Sequence, residues 1–405
     1  MCPEKLLNYV RTSIKKRICE FLTIALFDQI GFSTIIELSL NREMAIHMGQ
    51  ITTLVFDWCN TIMLDNGKHP GKMMNWPEVE AVAGAYQSLK VLSADYKLVL
   101  ATNAEESSRQ DISSALKRAN LDLFFDQIFT YKELSAKKPE LHFYQNLLKQ
   151  LDQSLDQVVM IGDDYLKDVV AAKLAGWKSI WFNPAGRLAS GHLPLQDMEI
   201  RNLFEISDVL GKPFFPDYQT CIGWYMEFGA THTLLSHVQN VAAIAYQLAL
   251  WLEQKGFKVN PLLSHRGGLT HDLCKLQDQG RKNHADLAAD FLESKKQFQL
   301  AEIARRHLIG DLVSEETRPQ TWEEKIVNYA DKLSEGNSIV SLDERLAALQ
   351  QRYPNFATKI KKNTPLVEAL QDEIFSALGT TSQEIIADLK KALFEKNSQF
   401  SNGML

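Results

Sequence analysis

A doubly wound α/β domain followed by an all-α helical bundle is the fold class this sequence predicts, and three observations carry it. Three short apolar, β-branched runs end on polar residues: I-T-T-L-V-F-D (51–57), K-L-V-L-A-T-N (97–103) and V-V-M-I-G-D-D (158–164). Each reads as a buried parallel strand with its polar group at the carboxyl end, and helical stretches alternate with them. From about residue 224 to 349 the periodicity is helical. A Pro-rich joint, G-K-P-F-F-P-D (211–217), divides the two regimes.

The balance of 405 residues, 45% hydrophobic and 23% charged with net charge -6, is that of a globular chain of two or three domains. A mildly acidic chain argues against a broad nucleic-acid surface, while leaving room for a local basic pocket. The five cysteines are odd in number and form no C-x-x-C pair, so free thiols in a reducing compartment are expected. Arg11, Lys15, Lys16 and Arg17 precede an apolar run loosely like a signal peptide. Glu20 interrupts that run and no small-x-small cleavage site follows. With no other stretch of ~20 apolar residues, a cytoplasmic location without a membrane span is expected. Residues 1–50 otherwise read as a helical extension, in which Met44 and Met48 offer alternative starts.

The α/β domain is placed at 51–212. After the first strand a helix is expected over 77–93, then the strand 97–103 and a helix over 106–119. The apolar segment 124–129 precedes a helix over 139–151. The strand 158–164, a helix over 165–175 and K-S-I-W-F-N (178–183), the last strand, complete it. At the strand ends lie Asp57, Thr102, Asn103, Lys138 and Asp163, with Asp168 a turn beyond. One aspartate after a strand says little. Together these groups offer a nucleophile, a phosphate donor, a neutralising cation and ligands for Mg²⁺.

The joint (213–228) leads to the bundle (229–350). Its centre is G-G-L-T-H-D-L-C-K-L (267–276), which sets His271 beside Asp272 with Lys275 a turn on. An isolated His–Asp pair on an apolar helix is most often a buried hydrogen bond. His237, His284, His307 and Asp331 change that reading, because each interrupts or borders another apolar helical face and needs a partner there. Four histidines and two aspartates on different helices are what a bundle needs to hold a metal inside. Imidazole and carboxylate ligands without thiolate suit Mn, Fe(II), Mg, Co or Zn. Arg281, Lys282, Arg305 and Arg306 read as a solvated basic face, and His232 and His265 as bystanders. The helical tail (351–405) either caps the bundle or pairs two subunits into a homodimer.

At these residues the sequence resembles two families. The order H…H-D…D, at His237, His271, Asp272 and Asp331, resembles the HD-domain metal-dependent phosphohydrolases over about 229–350. His284 and His307 fall where the two-metal branch carries extra histidines. The resemblance implies one or two divalent ions, with Asp272 bridging, and a metal-activated water. Lys275 would steady the phosphate, and the substrate would be a small-molecule phosphate ester or anhydride, such as a nucleotide. The first domain resembles the haloacid dehalogenase (HAD) superfamily over about 51–212, through D-W-C-N-T (57–61), L-A-T-N (100–103), K-K-P with Lys138, and G-D-D-Y-L-K-D (162–168). That resemblance implies Asp57 as nucleophile and Mg²⁺ held by Asp57, a backbone carbonyl and Asp163. It also implies a minimal cap, with roughly forty residues between the first two motifs.

One departure matters. The family's general acid, two residues after the nucleophile, is here Cys59. A thiol of ordinary pKa about 8.5 is a poor substitute for a carboxylic acid, and general acid catalysis is worth about 10²–10⁴-fold. The site is therefore expected to be slow on alkyl phosphates, restricted to good leaving groups, or devoted to binding. Two rivals follow. The HAD-like domain is a weakened second phosphatase, or it is a non-catalytic sensing or docking module that regulates the HD domain.

Overall fold

The computed structural model describes residues 51–65, 67–189, 193–277, 283–336 and 338–395. The expected extension at 1–50, the pair Arg281 and Lys282, and the last ten residues of the tail lie outside them. The first half holds six strands: β1 (Thr53–Phe56), β2 (Lys97–Ala101), β3 (Gln127–Phe129), β4 (Val158–Gly162), β5 (Lys178–Phe182) and β6 (Met198–Ile200). They form one parallel sheet in the order β3-β2-β1-β4-β5-β6. Every side chain of β1 and β4 is buried, which accounts for their unbroken apolar runs. The order reverses beside β1, where open α/β sheets form their crevice. Phe56 lies between Leu100 of β2 and Ile161 of β4, so the residues that follow all leave the sheet at one edge.

Four details differ from the sequence expectation. The helix foreseen over 77–93 is only α1 (Ala85–Leu92), entered through Gly84 at φ 83°. The residues before it pair instead with 62–64: Leu64 N donates to Glu80 O at 2.8 Å and Val82 N to Ile62 O at 2.9 Å. These residues form a small antiparallel arm, with Met63 opposite Ala81. The next helix, α2 (Arg109–Arg118), starts three residues late because Ser108 and Asp111 close a capping box ahead of it. K-S-I-W-F-N is not the last strand. β6 pairs with β5 beyond it, through Ile180 opposite Met198, and three residues are too few to show a period. Finally, most of the expected joint is the helix α5 (Tyr218–Glu227), capped by Asp217, with Cys221 and Tyr225 buried in the core.

Between these, α3 (Leu141–Leu151) and α4 (Glu205–Leu210) cover the sheet. The helical half runs α6 (His232–Gln254), α7 (Pro261–Thr270), α8 (His284–Ser294), α9 (Phe298–Arg305), α10 (Trp322–Lys332), α11 (Leu342–Arg352), α12 (Ala357–Leu378) and α13 (Ser382–Lys390). A two-strand ribbon, β7 (Ser334–Glu335) and β8 (Ser338–Ile339), joins α10 to α11. The helix α7 is buried along its whole length. Two glycines allow that: a Cβ at Gly268 would stand 2.7 Å from Ala242 Cα of α6, and one at Gly267 2.8 Å from Ile303 of α9. The helix α12 of the tail lies on α10, with Tyr329 Oη donating to Gln371 Oε1 at 2.8 Å and Lys325 paired to Glu373 at 2.6 Å.

The two halves meet through buried groups. Arg266 on α7, fully buried, donates to Pro216 O and Pro194 O at 2.8 Å and to Gln196 O at 3.1 Å. Trp181 and Val169 of the first half share an apolar cluster with Tyr246 and Leu250 of α6. Among the described residues, no helix is long and apolar enough to cross a membrane.

Candidate functional site

At the sheet edge, Asp57 follows β1, Thr102 and Asn103 follow β2, and Asp163 follows β4. Lys138 arrives from the loop before α3, where Asn103 fixes it twice. The Asn103 amide donates to Lys138 O at 2.8 Å, and Lys138 N donates to Asn103 Oδ1 at 2.7 Å. The buried Lys138 ammonium pairs with Asp57 Oδ1 and, at 2.7 Å, with Asp168 Oδ1. Burial works against that charge, yet Asp168 and Asp57 hold its pKa above the ordinary lysine range. Burial pushes the Asp168 carboxyl up to about 7 while Lys138 opposes it. Gly162 makes room for this carboxylate, since a Cβ there would stand 2.3 Å from Asp168 Cγ.

The Thr61 hydroxyl lies 3.4 Å from both Asp57 Oδ2 and Asp163 Oδ1. Asp57, Asp163 and Asp168 gather closely enough to hold one cation. Burial and then Asp57 push the Asp163 carboxyl upward, as expected of carboxylates crowded together. Cys59 forms part of the wall of the same cleft, about 380 Å³ in volume. Its thiol is pushed far above the usual range by burial and by Asp57. Sequence reasoning missed Arg187, which donates to Asp163 O at 2.6 Å and lies 3.7 Å from Asp163 Oδ2. It sits on the β5–β6 loop, where no motif marks it.

In the bundle, His237 comes from α6, His271 and Asp272 from the end of α7, His284 from the start of α8, His307 from just past α9, and Asp331 from α10. Six side chains from five separate stretches of the sequence converge. Asp272 is shared between two triads: Oδ2 lies 3.6 Å from His271 Nε2 and 3.9 Å from His237 Nε2, while Oδ1 lies 3.1 Å from His284 Nε2 and 3.3 Å from His307 Nε2. Each triad is compact enough to hold an ion. Asp331 Oδ1 joins the first, 3.1 Å from His237 Nε2 and 3.9 Å from His271 Nε2.

The outer nitrogens set which lone pairs face inward. His271 Nδ1 is 2.8 Å from Gly268 O and His307 Nδ1 2.6 Å from Ala304 O. A carbonyl only accepts, so both Nδ1 atoms carry the proton and both Nε2 atoms present a lone pair. His237 Nδ1 meets the Ser334 hydroxyl at 3.2 Å, itself held by the Asn240 amide at 2.9 Å. His271 Nε2 is buried and has no hydrogen-bond partner among the described residues. Burial brings the His271 pKa down to about 3, so the ring is neutral. A buried lone pair aimed at two carboxylates is costly alone and satisfied by a cation, so the residues present fit a divalent metal.

Positive groups surround the carboxylates. Lys275 Nζ is 3.2 Å from both Asp272 Oδ1 and His284 Nε2. Burial pushes the Asp272 carboxyl up, but Lys275 and His271 hold it well below the usual range. Lys332, buried, lies 3.1 Å from Asp331 Oδ2 and also donates to His307 O. Arg345 reaches Asp331 Oδ1 at 3.4 Å and pairs with Glu335. Burial again opposes, and Lys332, His237 and Arg345 keep Asp331 well below its usual range. Lys332 and Arg345 were not foreseen: a lysine after an aspartate, and an arginine on the following helix, carry no spacing signal. Arg305 and Arg306 are tied to Glu302, and Arg306 to two backbone carbonyls, rather than to the site.

Comparison with known proteins finds a family match over each half of the chain. The profile described as haloacid dehalogenase-like hydrolase matches residues 27–182, and the HD-domain profile matches 234–336. An uncharacterised protein of Methanocaldococcus jannaschii is 31% identical over 159 residues, covering 36% of this chain and 91% of that protein. A pyrimidine 5′-nucleotidase of Streptococcus pneumoniae is 30% identical over 107 residues, 26% of this chain and 44% of its own length. A pyrophosphatase of Bacillus mycoides is 30% identical over 115 residues, 28% of this chain and 50% of its own. The chain thus spans about half the length of the two named enzymes. It belongs to the hydrolases, as a haloacid dehalogenase-like domain fused to an HD domain.

Proposed function

We propose that this protein hydrolyses a nucleotide or related phosphate ester or anhydride at the HD site, and that its HAD-like domain is a second, weakened phosphatase. One observation carries the first part: Asp272 turns one carboxylate oxygen to each of two histidine pairs, and the buried Nε2 of His271, in the first pair, lacks a hydrogen-bond partner among the described residues. A divalent ion there, Mn, Fe, Co, Mg or Zn by the donor set, supplies a Lewis acid that acidifies water and neutralises phosphoryl oxygens.

The chain's own groups do the rest. Gly268 O and Ala304 O lock two imidazoles in the tautomer that faces inward. Lys332 and Arg345 hold Asp331 as an anion. Lys275, whose side chain is 37% exposed, is the group able to leave Asp272 and follow a substrate phosphate. While it rests between Asp272 and His284 it covers the second triad. The reading is therefore one tightly held ion at His237, His271, Asp272 and Asp331, and a weaker one at Asp272, His284 and His307. A nucleotidase and a pyrophosphatase among the HAD relatives support a phosphate substrate for the HAD-like domain.

Replacing Asp272 with Asn tests this. Metal content by elemental analysis and hydrolysis of a nucleotide panel should fall together. Undiminished hydrolysis would move the chemistry to Asp57. A second reading, in which the HAD-like domain only binds and regulates, is favoured by Cys59. It predicts equal rates for wild type and Asp57→Asn on every activated phosphate ester.

A further inference from the structure

The cleft at the sheet edge keeps everything a phosphoryl transfer needs except a proton for the departing oxygen. Asp57 is retained with Lys138 on Oδ1, which leaves Oδ2 free of the ammonium. Thr102 and Asn103 are in place behind it. At the leaving-group side stands Cys59, whose S–H is a weak hydrogen-bond donor. The other carboxyls that line the cleft are already engaged as acceptors, Asp163 from the Thr61 hydroxyl at 3.4 Å. Asp168 accepts from Lys138 and from Asp164 N at 3.1 Å. Asp164 accepts from Lys167 at 2.6 Å and from two backbone amides. Asp65 accepts from Gly67 N at 3.0 Å. Two cations also line the cleft, Lys72, paired with Asp111 at 2.7 Å, and Lys167, paired with Asp164.

We propose that the HAD-like site turns over phosphates whose leaving groups depart as stable anions, namely acyl phosphates, phosphoric anhydrides and aryl phosphates, and leaves alkyl phosphates almost untouched. This rests on the reading of Asp57 as nucleophile. An Asp57 oxygen attacks phosphorus, and the bond from phosphorus to the leaving oxygen breaks with its electron pair staying on that oxygen. The carboxylate, phosphate or aryl oxide leaves without taking a proton from the protein. Water then attacks the phosphorus of the aspartyl phosphate, the bond to Asp57 breaks, and the proton shed by water passes to solvent. One water is consumed and inorganic phosphate and one anion are released. An alkyl phosphate would have to expel an alkoxide, which the cleft has no acid to protonate.

The test uses the full chain with the HD site silenced by Asp272→Asn, in Mg²⁺. Acetyl phosphate, p-nitrophenyl phosphate, phenyl phosphate and glycerol phosphate form a series of rising leaving-group pKa. kcat/KM should fall steeply along it. Cys59→Asp should raise the glycerol phosphate rate about 10²–10⁴-fold, the usual value of a general acid, and barely change the p-nitrophenyl phosphate rate. Mass spectrometry of acid-quenched protein after acetyl phosphate should find a phosphoryl group on the peptide containing Asp57. If no adduct forms and no turnover depends on Asp57, the nucleophile reading fails and this inference with it. If the adduct forms but glycerol phosphate is cut as fast as p-nitrophenyl phosphate, the inference alone is wrong. The same holds if a Cys59→Asp protein that melts like wild type shows no gain. Should Cys59→Asp not fold, the slope measured with Cys59 in place decides.

Discussion

The sheet-edge site and the bundle site both hold carboxylates out of water, and they differ in what completes them. At the sheet edge the fold supplies the missing partner itself, the Lys138 ammonium between Asp57 and Asp168. In the bundle, Lys332, Arg345 and Lys275 answer the carboxylates, but His271 Nε2 in their midst has no hydrogen-bond partner among the described residues. The first site is preformed without a ligand. The second couples its stability to what binds it.

The largest effect should come from the unanswered atom. His271→Ala is expected to weaken metal affinity by more than the roughly 100-fold that losing an outer partner costs, read by competition with a chelating dye. The sheet-edge site has no equivalent, and Asp168→Ala there should instead strip Lys138 of one partner. Breaking a buried pair costs about 3–5 kcal/mol, visible as a lower midpoint in urea with HD-site metal unchanged. An equal loss of metal would break the contrast.

Gly268→Ala sharpens it further. The new Cβ would press on the backbone of α6, a misfit worth about 1–3 kcal/mol, and tilt the helix end that carries His271 and Asp272. Metal affinity and melting temperature should both fall. Arg345→Lys keeps the charge and loses the fork, so a loss of about 10–100-fold in metal affinity is expected, with little change in melting of the metal-free protein.

A last effect concerns acid. His271 has a folded pKa of about 3 against an ordinary 6.5, so between those values the unfolded chain binds a proton that the folded chain refuses. Stability of chelator-stripped protein should therefore be lost as pH falls from about 6.5 toward 3. Replacing His271 with Gln should flatten that decline in denaturation midpoints.

Much of this was legible in the sequence. Strands bounded by Asp57, Asn103 and Asp163 announced the sheet edge, because a carboxylate or amide directly after a fully apolar run marks the point where a strand leaves the core. The bundle ligands were legible for a related reason: an imidazole on an apolar helical face must be satisfied. What escaped had no such signature. β6 is three residues long, α1 was cut short by the backbone of Gly84, and α5 hid in a stretch read as a joint because Pro213 and Pro216 stand just before it. Lys332, Arg345 and Arg187 act through contacts across the fold, and nothing in their neighbourhoods marks them.

The guanidinium of Arg266 carries a practical consequence. A gene cut near residue 217 to express the second half alone would expose this cation on the very helix that presents His271 and Asp272, and would strand its carbonyl acceptors on the other fragment. Excised halves would thus report on damaged surfaces, and point variants in the intact polypeptide are the sounder way to learn what each domain does.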